Sequence, residues 1–126
     1  MRFYIPLIIG LIVSISAFSQ VTDLKRGVVH DSVKMPDFEG QTYALYLPEN
    51  FSNDKKWPVL FVFDPAARAK EAVEVFKEAA DKYGYVLASS YQVKNQAYQE
   101  NFKFAGNLVD VVLKSVPVDE SKMFTT

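Results

Sequence analysis

Few side chains in this sequence have the surroundings that a catalytic or metal-binding group needs. The chain contains no cysteine and a single histidine, His30. These counts exclude a disulfide framework, a thiolate zinc site and a cysteine nucleophile, and they leave little for an imidazole metal cluster. The sequence also lacks a P-loop, a G-x-G-x-x-G segment and a group of carboxylates at metal-ligand spacing. We therefore expect neither a metal nor an organic cofactor.

Ser89 and Ser90 stand at the end of an apolar segment, and their hydroxyls are candidate nucleophiles. A serine nucleophile needs a neighbouring base to take its proton, and no histidine follows these serines in the chain. We interpret them as a polar pair that ends a strand, and His30 as an ordinary edge or surface residue. Asp64 has the chemistry of a catalytic acid but no visible partner. Four polar residues follow the serines: Tyr91, Gln92, Asn95 and Gln96. They either line a cleft or serve as loop and helix-cap residues.

Length and composition limit the classes of protein that remain. The chain has 126 residues, enough for one domain. Its 14 basic and 15 acidic side chains give no basic excess of the kind that marks a nucleic-acid partner. Apolar residues make up 49% of the chain and aromatic residues 14%, so the sequence has the buriable surface of a packed domain.

The N-terminal segment has the three-part layout of a secretory signal peptide. A basic Arg2 precedes an apolar run over residues 3–13, and Ala17 and Ser19 supply small residues at the −3 and −1 positions of a cleavage site. We expect cleavage between Ser19 and Gln20, which makes the mature protein an exported one, periplasmic or extracellular.

An uncleaved membrane anchor is the alternative for this segment. The apolar run over residues 3–18 is interrupted by serines and falls short of the roughly 20 residues that a spanning helix needs. A lipoprotein anchor is excluded because no cysteine follows the cleavage point. The sequence therefore predicts a signal peptide at residues 1–19 and no stable membrane anchor on residues 20–126.

Three stretches in the first half of the chain have the patterns of strands. Residues 21–34 are polar with scattered valines and predict an edge strand. Residues 42–47 alternate with period two, which places Tyr43, Leu45 and Leu47 on one face of a strand. Residues 59–63 are five consecutive apolar residues between prolines, a pattern typical of parallel strands that are buried on both faces.

A helix and a further strand follow. The helix is predicted over residues 71–83 and ends at Gly84, a residue able to adopt positive φ. Residues 85–88 predict a short apolar strand. The expected buried positions of the helix are Ala72, Phe76, Ala79, Ala80 and Tyr83.

A second, longer helix precedes the last segment. Pro117 ends it, and residues 122–126 have the composition of another strand. Phe102 and Phe104 are interpreted as core or near-core. Its apolar stripe comprises Tyr98, Phe102, Ala105, Leu108, Val109, Val112 and Val116. The alternation of strand and helix predicts the α/β class, with a mostly parallel sheet flanked by helices and connected by right-handed crossovers.

The order of these elements resembles the α/β-hydrolase superfamily, specifically its secreted esterase and dienelactone-hydrolase-like members. The resemblance covers residues 41–126 and is carried by YALYLP at 43–48, KWPVLFVFD at 56–64, YG at 83–84, YVLASS at 85–90 and VDESK at 118–122. It implies a partial α/β-hydrolase fold in which residues 20–126 form the N-terminal part of the domain.

The resemblance also indicates what this chain lacks. In such enzymes the last segment runs into a nucleophile elbow, G-x-S-x-G, which an acid and then a histidine follow in the chain. None of these three catalytic residues can be assigned to residues 1–126. The resemblance therefore implies a fold truncated before the elbow, and a chain that is inactive by itself.

One functional element of the fold has a counterpart in this chain. An oxyanion-hole donor comes from the backbone of the loop after the third strand, which is residues 64–68 in this sequence. Many relatives carry His-Gly where this chain has Asp64-Pro65, and proline cannot donate. By position the resemblance implies Ala66 or Ala67 as the donor; alternatively, the Asp-Pro pair only turns the chain into the helix.

Two functions, and one further fold, remain open on the sequence. The first function is a fragment of an exported serine hydrolase whose complete form acts on a small-molecule carboxylic ester. The second is a non-catalytic α/β binding or interaction module. A flavodoxin-like or other doubly wound domain shares the strand–helix pattern, but residues 64–66 make a poor phosphate-binding loop.

Overall fold

The computed structural model describes residues 19–126, with side chains from Val21 onward. The predicted signal peptide therefore lies outside the described residues except for its last position, Ser19. In chain order the elements are α1 (Ser19–Thr22), β1 (Val29–Lys34), β2 (Thr42–Tyr46), β3 (Trp57–Phe61), α2 (Ala69–Tyr83), β4 (Val86–Ser90), α3 (Tyr98–Ser115) and β5 (Val118–Thr125). Within residues 19–126 no helix combines the length and apolar character that crossing a membrane requires.

The five strands form one sheet in the order β1-β2-β4-β3-β5. β3 is parallel to both β4 and β5, whereas β2 is antiparallel to β4 and to β1. Four strands consequently point the same way and β2 alone is reversed, which confirms the predicted α/β class and mostly parallel sheet. The two apolar strands are neighbours as expected, with Val59 opposite Val86 and Phe61 opposite Ala88.

Each face of the sheet carries its own buried cluster, because successive side chains of a strand alternate between faces. Tyr43 and Leu45 of β2 pack in one cluster with Leu108 and Val112 of α3. Ala44 and Tyr46 pack in the other with Val73 of α2 and Leu87 of β4. The predicted alternation of β2 is therefore confirmed, and one helix covers each face.

The buried face of α2 differs from the predicted one. Ala69, Val73 and Ala80 are buried, while Ala79 and Tyr83 are exposed. The reason is that the outer part of this sheet face is uncovered, so α2 contacts the sheet along a narrower line than its apolar composition indicates.

An apolar groove of about 250 Å³ borders this uncovered part of the sheet. The groove also explains a departure from the sequence prediction, in which β3 was buried on both faces. Val59 and Phe61 are buried, but Leu60 on the opposite face is only partly covered. Residues lining the groove include Leu60, Phe76, Ala79, Tyr83, Tyr85 and Phe124.

The apolar stripe of α3 is covered only in its C-terminal half. Leu108 and Val112 are fully buried, but Tyr98 is 70% exposed and Phe102 63% exposed. The prediction that Phe102 is core or near-core is wrong, because its side chain is largely left to solvent; Phe104 is half-buried.

Candidate functional site

Two loops lie at the carboxyl edge of the parallel strands, where ligands bind in α/β sheets. One, residues 62–68, follows β3 and leads into α2; we call it the β3–α2 loop. The other, residues 91–97, follows β4 and leads into α3; we call it the β4–α3 loop. A hydrogen bond from the Asn95 N–H to the Pro65 carbonyl, 2.8 Å long, joins them.

The β3–α2 loop is organised around the side chain of Asp64. Carboxylate oxygen Oδ2 accepts the backbone N–H groups of Ala66 at 3.0 Å and of Arg68 at 3.1 Å. The same oxygen accepts Arg68 Nε at 3.0 Å, and Oδ1 accepts Arg68 Nη2 at 3.0 Å. One carboxylate thus holds the backbone of its own loop and a forked guanidinium, which is the geometry of a bidentate pair.

The Arg68 guanidinium is the largest cause of a lowered Asp64 pKa. Together with the N–H groups of Arg68 and Ala66, it brings the pKa of that carboxyl to about 2. The carboxylate raises the pKa of Arg68 in return. Asp64 is therefore a paired carboxylate rather than one without a partner, which corrects the interpretation from the sequence.

The structure places both predicted oxyanion donors in this loop. The Ala66 N–H points at Asp64 Oδ2, and the Ala67 N–H donates to the Asp64 carbonyl at 2.9 Å. Ala67 has φ 55°, in the left-handed region that L residues seldom adopt. The assignment of Ala66 and Ala67 stays a prediction, and in this conformation both N–H groups are engaged by Asp64.

Side-chain amides fix the β4–α3 loop. Gln92 Oε1 accepts the Thr42 N–H at 3.1 Å, and Gln96 Nε2 donates to the Gln92 carbonyl at 2.8 Å. Asn101 accepts from the Lys94 N–H and donates to the Lys94 carbonyl at 2.7 Å. These hydrogen bonds hold the β4–α3 loop in a defined conformation, which is consistent with the interpretation of Gln92 and Gln96 as loop residues.

Tyr91 connects the same loop to the edge strand. Its hydroxyl donates a hydrogen bond to Asp31 in β1, next to Ser32, which has φ 52°. Burial and the adjacent carboxylate raise the pKa of Tyr91 to about 12, and the hydroxyl lowers the pKa of Asp31. Tyr91 is therefore protonated at neutral pH and acts as a donor.

The remaining candidates do not form a nucleophile and base. Ser89 and Ser90 are fully buried in β4, and Ser90 Oγ accepts the Gln92 N–H at 3.0 Å. His30 lies on the edge strand with Nε2 2.7 Å from the Lys25 carbonyl oxygen. The structure does not bring His30 together with either serine. Among residues 19–126 no three histidine or acidic side chains are grouped to hold a metal ion.

Reasoning from the sequence missed two residues of this edge, Arg68 and Asn101. A signal for Arg68 was present, because an aspartate and an arginine in the same short loop can form a bidentate pair. An Asp-Pro pair also favours a turn whose first side chain accepts a nearby N–H. Asn101 gave no such signal, since its partners depend on how the β4–α3 loop folds back onto α3.

Comparisons with known proteins show likeness at the level of fold. No family model matches the sequence, and no curated protein matches it. A dipeptidyl aminopeptidase IV-like protein from Bacteroides ovatus superposes with a TM-score of 0.58 at 19% identity, over 78% of this chain and 17% of its own. The thermophilic esterase Est2 from Thermogutta terrifontis superposes with a TM-score of 0.50 at 15% identity, over 78% of this chain and 38% of its own.

Both solved structures are of the α/β-hydrolase type, so the chain has a partial α/β-hydrolase-type fold. It spans well under half of either relative's length. The likeness concerns the fold alone, and it does not distinguish the dienelactone-hydrolase-like subtype.

Proposed function

We propose that this chain is the N-terminal part of an exported serine hydrolase that acts on carboxylic esters. The observation that carries the proposal is the set of parallel strands β3, β4 and β5, with loops at their carboxyl edge, in a fold shared with an esterase over 78% of the chain. The catalytic serine, acid and histidine of the proposed enzyme follow Thr126 in its chain.

In the proposed mechanism this chain contributes the β3–α2 loop. The Ala66 or Ala67 N–H donates to the carbonyl oxygen of the ester as negative charge develops on it. Removing one such donor in a serine hydrolase costs about 10²–10³ in kcat, because the donor is fixed in place before the reaction. The N–H of the residue after the nucleophile is the expected second donor.

The coding sequence beyond Thr126 tests the catalytic part of the proposal. We expect G-x-S-x-G within a few codons, followed by an aspartate or glutamate and then a histidine. The complete protein should hydrolyse a p-nitrophenyl ester, and alanine in place of the elbow serine should abolish turnover. The chain of residues 1–126 serves as the control and should not exceed background, since it lacks nucleophile and base. A stop codon without the motif in any frame contradicts the proposal.

The ester class is tested separately from hydrolysis, because one structural relative is a peptidase-like protein. The complete protein is assayed with p-nitrophenyl acetate and with a dipeptidyl p-nitroanilide. We expect turnover of the ester with little or none of the anilide. A preference for the anilide would agree with a hydrolase but contradict the proposed ester substrate.

Export is proposed from the signal-peptide pattern alone and has its own test. Protein recovered from outside the cytoplasm should begin at Gln20. Replacement of Ala17 by a large charged residue should block processing, because the −3 position of the cleavage site accepts small side chains. A mature protein that retains Met1 contradicts this part of the proposal.

A non-catalytic interaction module is the second candidate, favoured by the buried clusters on both faces of the sheet. It requires residues 20–126 to be monomeric in size-exclusion chromatography and to melt cooperatively. Aggregation of this segment rejects the module and agrees with a fragment of a larger domain.

A further inference from the structure

We propose that Asp64 is a positioning residue of the β3–α2 loop, whose carboxylate sets the direction of the Ala66 N–H and holds the Arg68 side chain. The inference rests on the proposed function, in which this loop donates to the substrate carbonyl, and it names a side chain that governs the Ala66 donor.

The convergence of donors on one oxygen carries the inference. Asp64 Oδ2 accepts the Ala66 N–H, the Arg68 N–H and Arg68 Nε, all at 3.0–3.1 Å. The Asp64 side chain is 17% exposed, whereas that of Arg68 is 65% exposed. The carboxylate is therefore the covered, central member of the group, and the guanidinium closes over it from the solvent side.

Packing offers the loop little other support. Pro65 and Ala66 are exposed, and Ala67 is half-buried. A methyl group has few contacts with which to fix a backbone, and left-handed φ at Ala67 is disfavoured for an L residue. Two hydrogen bonds consequently fix where the Ala66 N–H points: its own bond to Asp64 Oδ2, and the bond from the Asn95 N–H to the Pro65 carbonyl of the same peptide unit. The Ala67 N–H is held by the backbone carbonyl of Asp64.

The arrangement has a direct consequence for the proposed oxyanion hole. The Ala66 N–H already has an anionic acceptor, and the Ala67 N–H has the Asp64 carbonyl. A substrate oxygen must replace Asp64 Oδ2 as the acceptor of Ala66. Asp64 therefore determines both the resting direction of this donor and its availability.

Amide exchange in the ¹⁵N-labelled complete protein, the same protein that is assayed for turnover, tests the role. Asp64→Ala should raise the exchange rate of the Ala66 amide by about tenfold or more, because a hydrogen bond to a charged acceptor is lost. Asp64→Asn retains an acceptor oxygen and should keep most of the Ala66 protection. The matched control is Asp110→Asn, which removes another i,i+4 pair, to Lys114 at 3.0 Å on α3, and should leave the Ala66 amide unchanged.

Unchanged Ala66 protection in Asp64→Ala, with α2 still protected, overturns the role. The role is also overturned if the alanine and asparagine variants lose amide protection equally and the loss extends along α2. That pattern indicates that the start of the helix has frayed. If Asp64→Ala does not fold, the unsubstituted chain decides: on acidification, the Ala66 amide shift must follow the titration of the Asp64 carboxyl. If the chemical shift of the Ala66 amide does not change as the Asp64 carboxyl titrates, the role is also overturned.

These measurements do not depend on turnover. An inactive complete protein whose Ala66 amide depends on Asp64 rejects the hydrolase function alone. An active esterase whose Ala66 amide is indifferent to Asp64 rejects the positioning role alone.

Discussion

Two tyrosines of one strand show how a buried hydroxyl depends on its partner. Tyr43 and Tyr46 are both fully buried in β2 but face opposite sides of the sheet. The Tyr46 hydroxyl donates to Asp81 at 2.6 Å, while the Tyr43 hydroxyl forms no comparably close hydrogen bond and interacts only with the Ser115 side chain. Burial raises the pKa of both phenols. A buried polar group contributes to stability only when it is hydrogen-bonded.

Phenylalanine substitutions separate the two cases. Tyr46→Phe should lower the free energy of unfolding by about 1–2 kcal/mol, because the Asp81 carboxylate loses one of its two donors and keeps only the Glu49 N–H. Tyr43→Phe removes a hydroxyl whose only contact of this kind is with Ser115, so it should cost less than Tyr46→Phe. Urea unfolding of both variants provides the measurement, and equal losses contradict the assignment of partners.

Gly84 occupies a backbone conformation with positive φ, which residues that carry a side chain rarely adopt. It ends α2 with φ 74°, and its N–H donates to the Ala80 carbonyl at 2.8 Å. An added Cβ would stand 3.5 Å from Trp57 Cζ3, an ordinary contact, so the cost of a side chain is conformational rather than steric.

Gly84→Ala should therefore destabilise the chain by about 1–2 kcal/mol, the cost of left-handed φ for an L residue. Gly106→Ala is the matched control, since Gly106 lies inside α3 with nothing near its Cβ position. That change should stabilise by about 0.5–1 kcal/mol because it limits the unfolded chain. Thermal melting that shows both changes with the same sign contradicts this account.

The Asp64 carboxyl predicts a response to acid. Its pKa is about 2 in the folded chain against an ordinary value of 3.8, mainly because of Arg68. The stability that this shift contributes is present above about pH 4 and is lost as the pH falls through about 2. Asp64→Asn should therefore lose less stability than the parent between pH 4 and pH 2. Asp54→Asn, in the exposed loop before β3, is the control and should follow the parent.

At the scale of elements, periodicity predicted what local pattern determines. The alternation of residues 42–47 and the apolar run of residues 59–63 identified β2 and β3, and Gly84 marked the end of α2. The helix faces were less predictable, because burial of an aromatic residue depends on what packs against it. The Asp31–Tyr91 bond joins residues 60 apart, and no pattern in either segment indicates it.

The two halves of α3 make this difference measurable. Leu108→Ala should cost about 2–5 kcal/mol, since a fully buried leucine leaves a cavity. Phe102→Ala, on the uncovered half of the helix, should cost under about 1 kcal/mol because little contact is lost beyond its ring contact with Tyr98. Chemical denaturation decides, and a large loss at Phe102 would show that the first turns of α3 are covered in solution.

At the scale of the whole molecule, the sheet is covered unevenly. α2 and α3 bury its central strands, while β5 forms an edge and the apolar groove lies beside it. Tyr83 is 66% exposed and Phe124 48% exposed at this groove. A contiguous apolar patch of this kind favours contact with other apolar surfaces.

The groove should bind an apolar fluorescent dye such as ANS. Phe124→Lys is expected to reduce the fluorescence gain at least about twofold, because it places a charge in the lining. Val75→Lys is the control: Val75 is 76% exposed on the same helix as Tyr83 but does not line the groove. An equal loss in both variants contradicts binding at the groove.

The 2.8 Å bond between the Asn95 N–H and the Pro65 carbonyl limits how this edge of the molecule can change. Because the bond crosses from one connection to the other, a residue inserted into either one displaces its neighbour. Redesign for a new ligand must therefore alter the lengths of both connections together, or give up the brace between them.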